Sequence, residues 1–466
     1  MFSRREVLRA LGAVPAVVVR RGLGATELPH RRLGKTERWV VPYGLGGQAS
    51  LERTGGSMDR PDIIVRAVEL GINYLDTANA YGPSQSYYGE AFRRLRLKPD
   101  DPNYNAALRE RLYIASKTGQ RFAMNRAQPN AATAISDLRN TLTQLFGDGK
   151  GYIPEGAYLD AFQCHNLGNL QQVDQIWENF ANRGDPNLPR LGTLAGLLDY
   201  RDGTNVTGLN PERRRWIRHI GVTGHNSSVM TPCLQRDTGN ILDTLLTVLN
   251  ANDRQYIPNQ NNVIPVAAAR DMGVIAMKLF AQGGIYTEPR QPYIFTVGVP
   301  GGIPPGDLVR YPIAIPGVTV AIVGIGQIDR DNPANDQLQT NLAAGVQDPA
   351  SPAELRRIEA DLAALHGINT NYYQERGRGL VQPTQVSVER DGDRVIVKWN
   401  AAVAGAEPIR SYQIWDGDRL VAVLPFRAQT SLEPLSATVP ASSLASGSVR
   451  VLASEASPLP LRRRVG

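Results

Sequence analysis

The chain is poor in cysteine and histidine, with two cysteines and five histidines among its 466 residues. Cys164 and Cys233 are far apart and show no spacing typical of metal ligands, so no metal site is indicated and a disulfide is not established. Apolar runs long enough to cross a lipid bilayer are also absent, which argues against an integral membrane protein. What remains is an ordinary globular composition, 42% hydrophobic and 20% charged, in a chain long enough for two or three domains.

A basic surface interleaved with aromatic side chains is missing as well. The formal net charge is +7, and the arginines are scattered, with short runs at residues 213–215 and 462–464. Because no aromatic residues alternate with these runs, they are typical of a solvated surface and not of a nucleic-acid footprint. The sequence therefore predicts no nucleic-acid partner.

The N-terminus has the pattern of an export signal. Arg4 and Arg5 precede a modest apolar stretch at residues 10–19, and small residues follow at 22–25. This order is typical of a signal peptide, and the paired arginines resemble a twin-arginine signal. Residues 1–28 are therefore predicted to direct export to the periplasm or the cell exterior. A disordered basic terminus on a cytoplasmic protein is the alternative, because Arg20 and Arg21 come late and no clean A-x-A site follows.

Short apolar strands alternate with amphipathic helical segments over residues 29–376. Apolar side chains recur at helical spacing between the strands, as in Ile135, Leu138, Leu142 and Leu145. Strand–helix alternation predicts a parallel sheet, and eight units predict a closed (β/α)8 TIM barrel, an α/β fold. A doubly wound open sheet is disfavoured, because no G-x-G-x-x-G follows the first strand. The eight candidate strands lie at residues 39–44, 73–77, 112–116, 158–163, 217–222, 241–246, 274–277 and 318–323.

Two connections of the predicted barrel are long. Residues 199–211 are polar and glycine-rich, and residues 282–316 are rich in proline and glycine. Loops of this length in a compact domain are usually functional or disordered. The second follows the seventh strand, so it is expected to lie over the active face, and both loops are expected to set substrate specificity.

The pattern changes at about residue 377, where apolar residues begin to alternate with period two. Val395 and Trp399 belong to one such run, and turn signals such as Asp391-Gly392 separate the runs. The alternation predicts a small all-β immunoglobulin-like sandwich over residues 377–466, similar to a fibronectin type III module. Trp399 is expected to be a core residue and not a ligand-stacking platform. A protein or a carbohydrate is the candidate ligand of this C-terminal domain.

Three consecutive candidate strands end on ionisable residues. The second ends on Asp76, the third on Lys117 and the fourth on His165, and Tyr81 lies on the loop after the second strand. In a parallel barrel these strand ends converge on the face where active sites lie. A strand-end cap and a packed ring would explain Asp76 and Tyr81 alone, but four such residues in succession favour a catalytic site.

The four residue types together suit the protonation of a carbonyl oxygen. A tyrosine with a pKa near ~10 holds its proton at neutral pH and can act as a general acid. A nearby lysine ammonium is expected to lower that pKa, and an aspartate keeps the ammonium charged and oriented. A histidine can orient the substrate oxygen by a hydrogen bond. Carbonyl reduction then needs a hydride from a cofactor on the other side.

These motifs resemble those of the aldo-keto reductase family. GINYLDTANAYG is similar to the family's aspartate strand and tyrosine loop, YIASKTG to its lysine strand and DAFQCHNLG to its histidine strand. The resemblance covers roughly residues 33–365. It implies a (β/α)8 barrel that uses NADP(H), with NAD(H) as the alternative, and no metal. The family's catalytic tetrad carries over to Asp76, Tyr81, Lys117 and His165.

The resemblance also implies a set of cofactor-binding residues, with some departures from the family pattern. The fifth strand offers Thr223 where the family has serine, but Gly224 replaces its asparagine, for which His225 or Asn226 could compensate. Leu246 and Leu249 replace the family's glutamine and its stacking tyrosine. The basic residue for a 2′-phosphate is absent around residues 326–327, which leaves NADP against NAD open. The implied cofactor-binding residues are Gly46, Thr223, His225, Asn250, Lys278, Leu279, Gly324, Gly326, Gln337 and Asn341.

The sequence thus predicts an NADP(H)-dependent oxidoreductase that reduces an aldehyde or ketone, or oxidises the alcohol, with Tyr81 as general acid. The substrate is expected to be a small carbonyl or sugar-like molecule. The alternative is a non-catalytic or weakly active barrel that acts as a binding or scaffold module at the cell envelope. The altered nicotinamide contacts motivate this alternative, while the intact tetrad argues against it. The oligomeric state stays open.

Overall fold

The structure is a computed structural model that describes residues 19–20, 28–119, 129–281, 285, 303–366, 377 and 379–456. Most of the predicted export signal at residues 1–28 lies outside these residues. The same holds for most of residues 282–302 in the second predicted loop.

Eight parallel strands close into a barrel, as predicted. Each strand pairs with the next along the chain, and the last pairs with the first to close the ring. The predicted (β/α)8 architecture is therefore confirmed. The barrel strands are β4 (Tyr43–Gly46), β5 (Tyr74–Asp76), β6 (Tyr113–Lys117), β7 (Leu159–Leu167), β8 (Ile217–Gly224), β9 (Leu242–Val248), β10 (Gly273–Met277) and β11 (Val318–Gly324).

The first predicted strand, residues 39–44, is wrong in its bounds. Trp39–Val40 is a separate short strand, β3, which pairs antiparallel with β2 (His30–Arg32), and β2 pairs with β1 (Val19–Arg20). The barrel strand begins only at Tyr43. Pro42 lies between the two strands and has no N–H to donate to a sheet, so the pairing is interrupted there.

Helices surround the barrel between successive strands and bury their apolar faces against it. The predicted stripe of Ile135, Leu138, Leu142 and Leu145 is buried, which confirms that helix. The helices are Arg60–Glu69, Ser84–Arg94, Ala106–Arg111, Ala131–Leu145, Leu170–Trp177, Thr193–Asp202, Ser227–Gln235, Val263–Ala269, Pro305–Ala314, Gln337–Gly345 and Pro352–His366. Short 3-10 helices lie at Ala49–Glu52, Asp253–Gln255, Asn259–Asn261 and Ala441–Ser443.

Residues 305–314 form a helix inside the stretch that the sequence predicts as a loop. Pro305 stands in its first turn, where a missing N–H costs nothing, and Leu308 and Tyr311 are buried. The proline content that favours a loop here is thus compatible with a helix that starts on proline.

The other predicted specificity loop lies on the wrong face of the barrel for that role. Residues 203–216 connect the helix Thr193–Asp202 to the N-terminal end of β8. Asp76 and Lys117, in contrast, lie at the C-terminal ends of β5 and β6. The expectation that this loop sets substrate specificity is therefore wrong, because an αβ connection of a barrel runs along the face opposite the strand carboxyl ends.

The C-terminal region consists of two three-stranded antiparallel sheets, as the period-two pattern predicts. One sheet has the order β12 (Thr384–Asp391), β13 (Arg394–Asn400) and β16 (Leu435–Pro440). The other has the order β15 (Arg419–Pro425), β14 (Ser411–Asp416) and β17 (Val449–Ser454). Trp399 is buried and its ring centroid lies 5.5 Å from that of Tyr412, so it is the core residue that the sequence predicts.

The two sheets contact the barrel through hydrogen bonds to the segment after β9. Asn262 and Ala404 bond reciprocally: the Asn262 amide donates to the Ala404 carbonyl at 3.1 Å, and the Ala404 N–H donates to Asn262 Oδ1 at 2.9 Å. Arg254 donates to the Ala406 carbonyl at 3.0 Å and pairs with Glu407. Further hydrogen bonds join Gln235 to Gln429 and Arg270 to Thr430.

Within the described residues, no helix is both long and apolar enough to span a membrane. The same residues contain no group of three or more histidine, cysteine or acidic side chains placed to hold a metal ion. Cys164 and Cys233 are buried free thiols, and burial raises the pKa of Cys233 to about 12. Such thiols are poor nucleophiles, because the thiolate is the reactive form.

Candidate active site at the C-terminal ends of the barrel strands

An ion pair between Asp76 and Lys117 forms the base of the site. Lys117 Nζ lies 2.7 Å from Asp76 Oδ1 and 2.6 Å from Oδ2, and it also donates to the Thr77 carbonyl at 2.9 Å. An ammonium group has three hydrogens, so these three contacts use all of them. Both side chains are buried, and β5 and β6 are neighbouring strands whose ends place the two groups side by side.

Burial acts on both members of this pair in opposite directions. Desolvation raises the pKa of Asp76 and lowers the pKa of Lys117, and each charge opposes the shift of the other. Asp76 gains a further hydrogen bond from the Gly47 N–H. Three oxygen acceptors around Nζ favour the ammonium form of Lys117.

Tyr81 lies directly above the ion pair. Its ring centroid is 4.7 Å from Lys117 Nζ, and the side chain is 8% exposed. The Tyr81 hydroxyl makes no hydrogen bond to any residue in the described ranges. Desolvation, with the charges of Asp76 and Glu52, raises the pKa of Tyr81 well above its usual value.

The expectation that Lys117 lowers the pKa of Tyr81 is therefore wrong for this structure. The physical reason is the geometry of the ammonium group, whose hydrogens point to Asp76 and Thr77. Its charge is compensated by the carboxylate at contact distance. Tyr81 is consequently protonated at neutral pH.

His165 lies beside Tyr81 at the end of β7. The two ring centroids are 5.5 Å apart and the rings meet edge to face at 82°. His165 Nδ1 lies 3.2 Å from the Thr118 carbonyl oxygen. Because a carbonyl only accepts hydrogen bonds, Nδ1 carries a hydrogen, and Nε2 of the neutral ring is then an acceptor. The structure thus brings together all four predicted catalytic residues.

The loop that carries Tyr81 is held by a residue that the sequence does not single out. The Asn79 amide donates to the carbonyls of Lys117 and Asp137, each at 3.1 Å, and to Thr141 Oγ1 at 2.8 Å. Asn79 thus ties the loop after β5 to β6 and to the helix Ala131–Leu145. The only sign of this role in the sequence is that Asn79 is a polar residue between Asp76 and Tyr81. Its hydrogen-bond partners are remote in sequence and could not be predicted.

Gly47 is a second residue of this kind, at the end of the first barrel strand. A Cβ atom at this position would lie 2.4 Å from the Asp76 carbonyl oxygen and 2.8 Å from Thr77 Cα. Only glycine allows the chain after β4 to approach the end of β5 so closely. The G-G pair at residues 46–47 was the sequence signal, and Gly46 has a similar close contact with Gly324.

The predicted nicotinamide contacts at the ends of β8 and β9 are already hydrogen-bonded to neighbouring residues. Thr223 Oγ1 accepts from the Asn166 N–H at 2.6 Å, and His225 Nδ1 lies 2.6 Å from Asn166 Oδ1. Asn250 accepts from the Asn252 N–H at 2.9 Å and donates to the Lys278 carbonyl at 3.4 Å. Asn166, which the sequence prediction missed, therefore joins β7 to β8 beside His165.

Lys278 brings a second buried amine to the same face. It follows β10, has a left-handed φ of 64°, and donates to Gln48 Oε1. Burial lowers the pKa of Lys278 to about 8, against the opposing charges of Glu52 and Asp76. Its neighbour Leu279 is 1% exposed and packs in the core, so any contact of Leu279 with a cofactor is through its backbone.

The residues predicted to bind the cofactor phosphates, which follow β11, are engaged in hydrogen bonds to side chains of the protein. The Gly326 N–H donates to Gln337 Oε1 at 2.9 Å, and the Asn341 amide donates to the Tyr43 hydroxyl at 3.2 Å. A Cβ atom at Gly324 would lie 3.0 Å from Ala49 Cβ, so this glycine also allows a close approach.

The residues on this face fit a nicotinamide dinucleotide in charge. A cationic amine at Lys278 suits a pyrophosphate. Asn166 and His225 offer amide and imidazole groups for a carboxamide. These donors would have to exchange their present partners for the cofactor.

Part of the chain matches the model of a known family. Residues 45–182 match the model of the aldo/keto reductase family, and all four site residues lie within that match. Two solved structures, both of a candidate aldo-keto reductase from Pseudomonas aeruginosa, are similar. One is 26% identical, with 68% of this chain and 94% of that chain covered and a TM-score of 0.43. The other is 24% identical, with 67% and 95% covered and a TM-score of 0.42.

No curated protein sequence matches this chain. The family match covers residues 45–182 and agrees with the resemblance that the motifs predict. The match supports an oxidoreductase.

Proposed function

We propose that this protein is a nicotinamide-dependent aldo-keto reductase that reduces an aldehyde or ketone, or oxidises the corresponding alcohol. The observation that carries the proposal is the assembly of Asp76, Lys117, Tyr81 and His165 at the strand ends of one barrel face. A scaffold module has no need for a buried ion pair beneath a tyrosine whose hydroxyl is left without a partner among the described residues.

Tyr81 acts as the general acid in this proposal. Its raised pKa keeps the hydroxyl protonated, and the proton passes to the carbonyl oxygen as negative charge develops there. Lys117 lies 4.7 Å from the ring, and its ion pair with Asp76 forms the fixed base beneath Tyr81. A bound nicotinamide cofactor supplies the hydride.

His165 orients the substrate oxygen. With the hydrogen on Nδ1 directed to Thr118, the neutral ring accepts a hydrogen bond at Nε2, which suits an alcohol substrate. A carbonyl oxygen is itself an acceptor, so His165 donates to it only as the imidazolium.

NADP(H) is the proposed cofactor, with NAD(H) as the alternative. Lys278 would face the pyrophosphate, while Asn166 and His225 would face the carboxamide. Arg66, on the helix Arg60–Glu69, pairs with the N-cap residue Asp336 of the helix Gln337–Gly345 at 2.9 Å. A 2′-phosphate there would have to compete with Asp336 for the arginine, which is why both nucleotides are tested.

The proposal is tested on the purified full chain in two steps. Denaturation should release a nucleotide that absorbance and mass identify as a nicotinamide dinucleotide. The protein should then turn over members of a panel of aldehydes, ketones and sugars with NADPH or NADH. Absence of a released nucleotide, together with absence of turnover with either one, would support the scaffold alternative instead.

We also propose that residues 1–28 direct export, on the basis of the paired arginines and the weakly apolar stretch that follows. Replacement of Arg4 and Arg5 by lysine should retain the protein in the cytoplasm, as cell fractionation would show. An unchanged distribution between fractions would contradict this part of the proposal.

A further inference from the structure

A cavity of about 740 Å³ lies on the face of the barrel opposite the candidate active site. It is lined by residues that precede β7, including Glu155 and Tyr158, and by the turn that precedes β8. Its volume lies within the usual range for small-molecule sites. No step of the proposed oxidoreductase reaction uses this face.

Arginine dominates the polar lining of the cavity. Five arginines and two glutamates line it, and three of these arginines are the consecutive residues 213–215. We refer to this site, lined by Arg201, Arg213, Arg214, Arg215 and Arg218 with Glu155 and Glu212, as the arginine cavity. The sequence alone suggests only a solvated basic run at these positions, because nothing in it shows that the run borders a cavity.

Residues 213–215 form the turn that precedes β8, and Asn210 holds this turn in place. This side chain is 1% exposed; it accepts from the Arg214 N–H at 3.0 Å and donates to the Arg214 carbonyl at 3.1 Å. Arg213 has a left-handed φ of 51°, which is unusual outside glycine and persists only where surrounding contacts enforce it. The Arg213 N–H donates to the Asn210 carbonyl at 2.9 Å. The turn is thus fixed before any ligand binds.

A second buried side chain fixes the loop that leads into this turn. Asp199 accepts hydrogen bonds from Thr204 Oγ1, the Val206 N–H and both the N–H and the hydroxyl of Thr207. Burial opposes ionisation of Asp199, but these hydrogen bonds together hold its pKa below the usual value. A loop braced in this way presents its arginines with little entropy left to lose on binding.

Two of the five arginines have no carboxylate partner in the described part of the chain. Arg214 pairs with Glu212 at 2.7 Å, Arg201 with Asp202 at 2.7 Å and Arg218 with Glu110 at 3.3 Å. Arg213 and Arg215 are exposed and pair with none of these acids. Arg215 packs over Gly203, where a Cβ atom would lie 2.7 Å from its Nε.

We propose that the arginine cavity binds a small anion that carries two or more phosphate or carboxylate groups, with Arg213 and Arg215 as the principal ligands. Guanidinium groups bind both kinds of oxyanion through paired N–H donors. Both aromatic rings in the lining are covered. The Tyr158 ring is covered by Arg109 at 3.8 Å and Arg218 at 4.0 Å. The Trp216 ring is stacked on Tyr200 at 5.0 Å and lies 4.8 Å from the Arg139 guanidinium. The ligand is therefore recognised by its charge.

Isothermal titration calorimetry of the full chain at low salt tests this proposal with two probes. Tripolyphosphate represents phosphate ligands and citrate represents carboxylate ligands. We expect saturable binding of at least one of them. The probe that binds more tightly indicates whether the natural ligand carries phosphate or carboxylate groups. Binding should weaken with added salt, because the site is exposed to screening. If neither probe binds, the proposal is wrong.

Matched variants locate the binding. The double variant Arg213→Gln/Arg215→Gln should weaken binding by roughly tenfold or more, since two charge-assisted contacts are lost. The control Arg390→Gln/Arg394→Gln removes the same charge from exposed positions of the C-terminal sheets and should leave the affinity unchanged. Glu155→Gln removes a repulsive charge from the lining and should tighten binding.

Two results would overturn the assignment even if an anion binds. Equal weakening in the control double variant would show a general effect of net charge. Loss of binding in Lys278→Met would place the anion on the opposite face, at the candidate cofactor site. Should the arginine double variant fold poorly, the opposite shift expected for Glu155→Gln still decides the question.

Discussion

The residues of the site have different roles, as the Asp76–Lys117 ion pair shows. All three hydrogens of Lys117 point to Asp76 and Thr77, so this lysine gives Tyr81 a fixed positive charge and no hydrogen bond. Removal of either member would leave a buried charge without its partner, at a cost of about 3–5 kcal/mol. The proton that moves in the proposed reaction is therefore the one on Tyr81, while the pair beneath stays fixed.

Because of Lys278, the free energy of unfolding is expected to change with pH in the alkaline range. Its pKa is lowered from 10.5 to about 8 in the folded protein, chiefly by burial. Below about 8 both states bind the proton, and the folded state carries the cost of a buried ammonium. Between about 8 and 10.5 only the unfolded state binds it, so the contribution of this residue to stability rises with pH across that interval.

Denaturant unfolding of the wild type and Lys278→Met measures this effect. The free energy of unfolding of the wild type should gain up to about 3 kcal/mol relative to the variant as the pH rises through the interval. Parallel pH profiles for the two proteins would contradict the lowered pKa.

At the scale of elements, the junction of β4 and β5 sets the position of Asp76. Gly47 passes within van der Waals range of the end of β5, and its N–H also bonds the Asp76 carboxylate. A methyl group at this position must displace the strand end that carries Asp76. The packing of two strand ends is thus coupled directly to the site.

Gly47→Ala is therefore expected to lower both stability and turnover. The overlap with the Asp76 carbonyl should cost about 1–3 kcal/mol, typical of overpacked sites. The matched control is Gly239→Ala, because a Cβ atom there would meet only Ile241 Cγ2 at 3.4 Å. Thermal unfolding and steady-state kinetics of the two variants check the prediction, and equal behaviour would refute it.

The barrel strands could be predicted from the sequence because they are short apolar runs, and three consecutive candidate strands are followed by or end on ionisable residues. Asp76, Lys117 and His165 were visible for that reason. The break at Pro42 was missed because residues 39–44 look like one run, although proline cannot continue the pairing. The roles of Asn79, Asn166 and Gly47 were not readable, since each depends on atoms of a distant strand.

At the scale of the whole molecule, the C-terminal sheets rest on the segment that follows β9. This segment also holds Asn259, whose amide donates to the carbonyls of His225 at 3.1 Å and Val248 at 2.8 Å. The segment after β9 therefore contacts both the C-terminal sheets, through Arg254 and Asn262, and the predicted cofactor-binding residue His225, through Asn259. The sequence showed a change of fold near residue 377, but it carried no sign of which barrel face the sheets would contact.

Asn262→Ala should weaken this docking. The variant loses both hydrogen bonds with Ala404, which we expect to cost about 1–3 kcal/mol and to speed hydrogen exchange at the Ala404 N–H. Asn187→Ala is the control, because Asn187 bonds Asp185 within an exposed turn of the barrel. Unchanged exchange at Ala404 in the Asn262 variant would show that the two hydrogen bonds do not hold the sheets in place.

The central claim is that Tyr81 delivers the proton in a nicotinamide-dependent carbonyl reduction. Tyr81→Phe keeps the ring against His165 and removes only the hydroxyl, whereas Tyr87→Phe removes a hydroxyl that donates to the Arg53 carbonyl at 2.9 Å away from the ion pair. The decisive measurement is the rate of NADPH oxidation in a single turnover with a carbonyl substrate. We predict that Tyr81→Phe lowers this rate by roughly 10²–10⁴-fold with cofactor affinity unchanged, while Tyr87→Phe retains it. A wild-type rate in Tyr81→Phe would contradict the account.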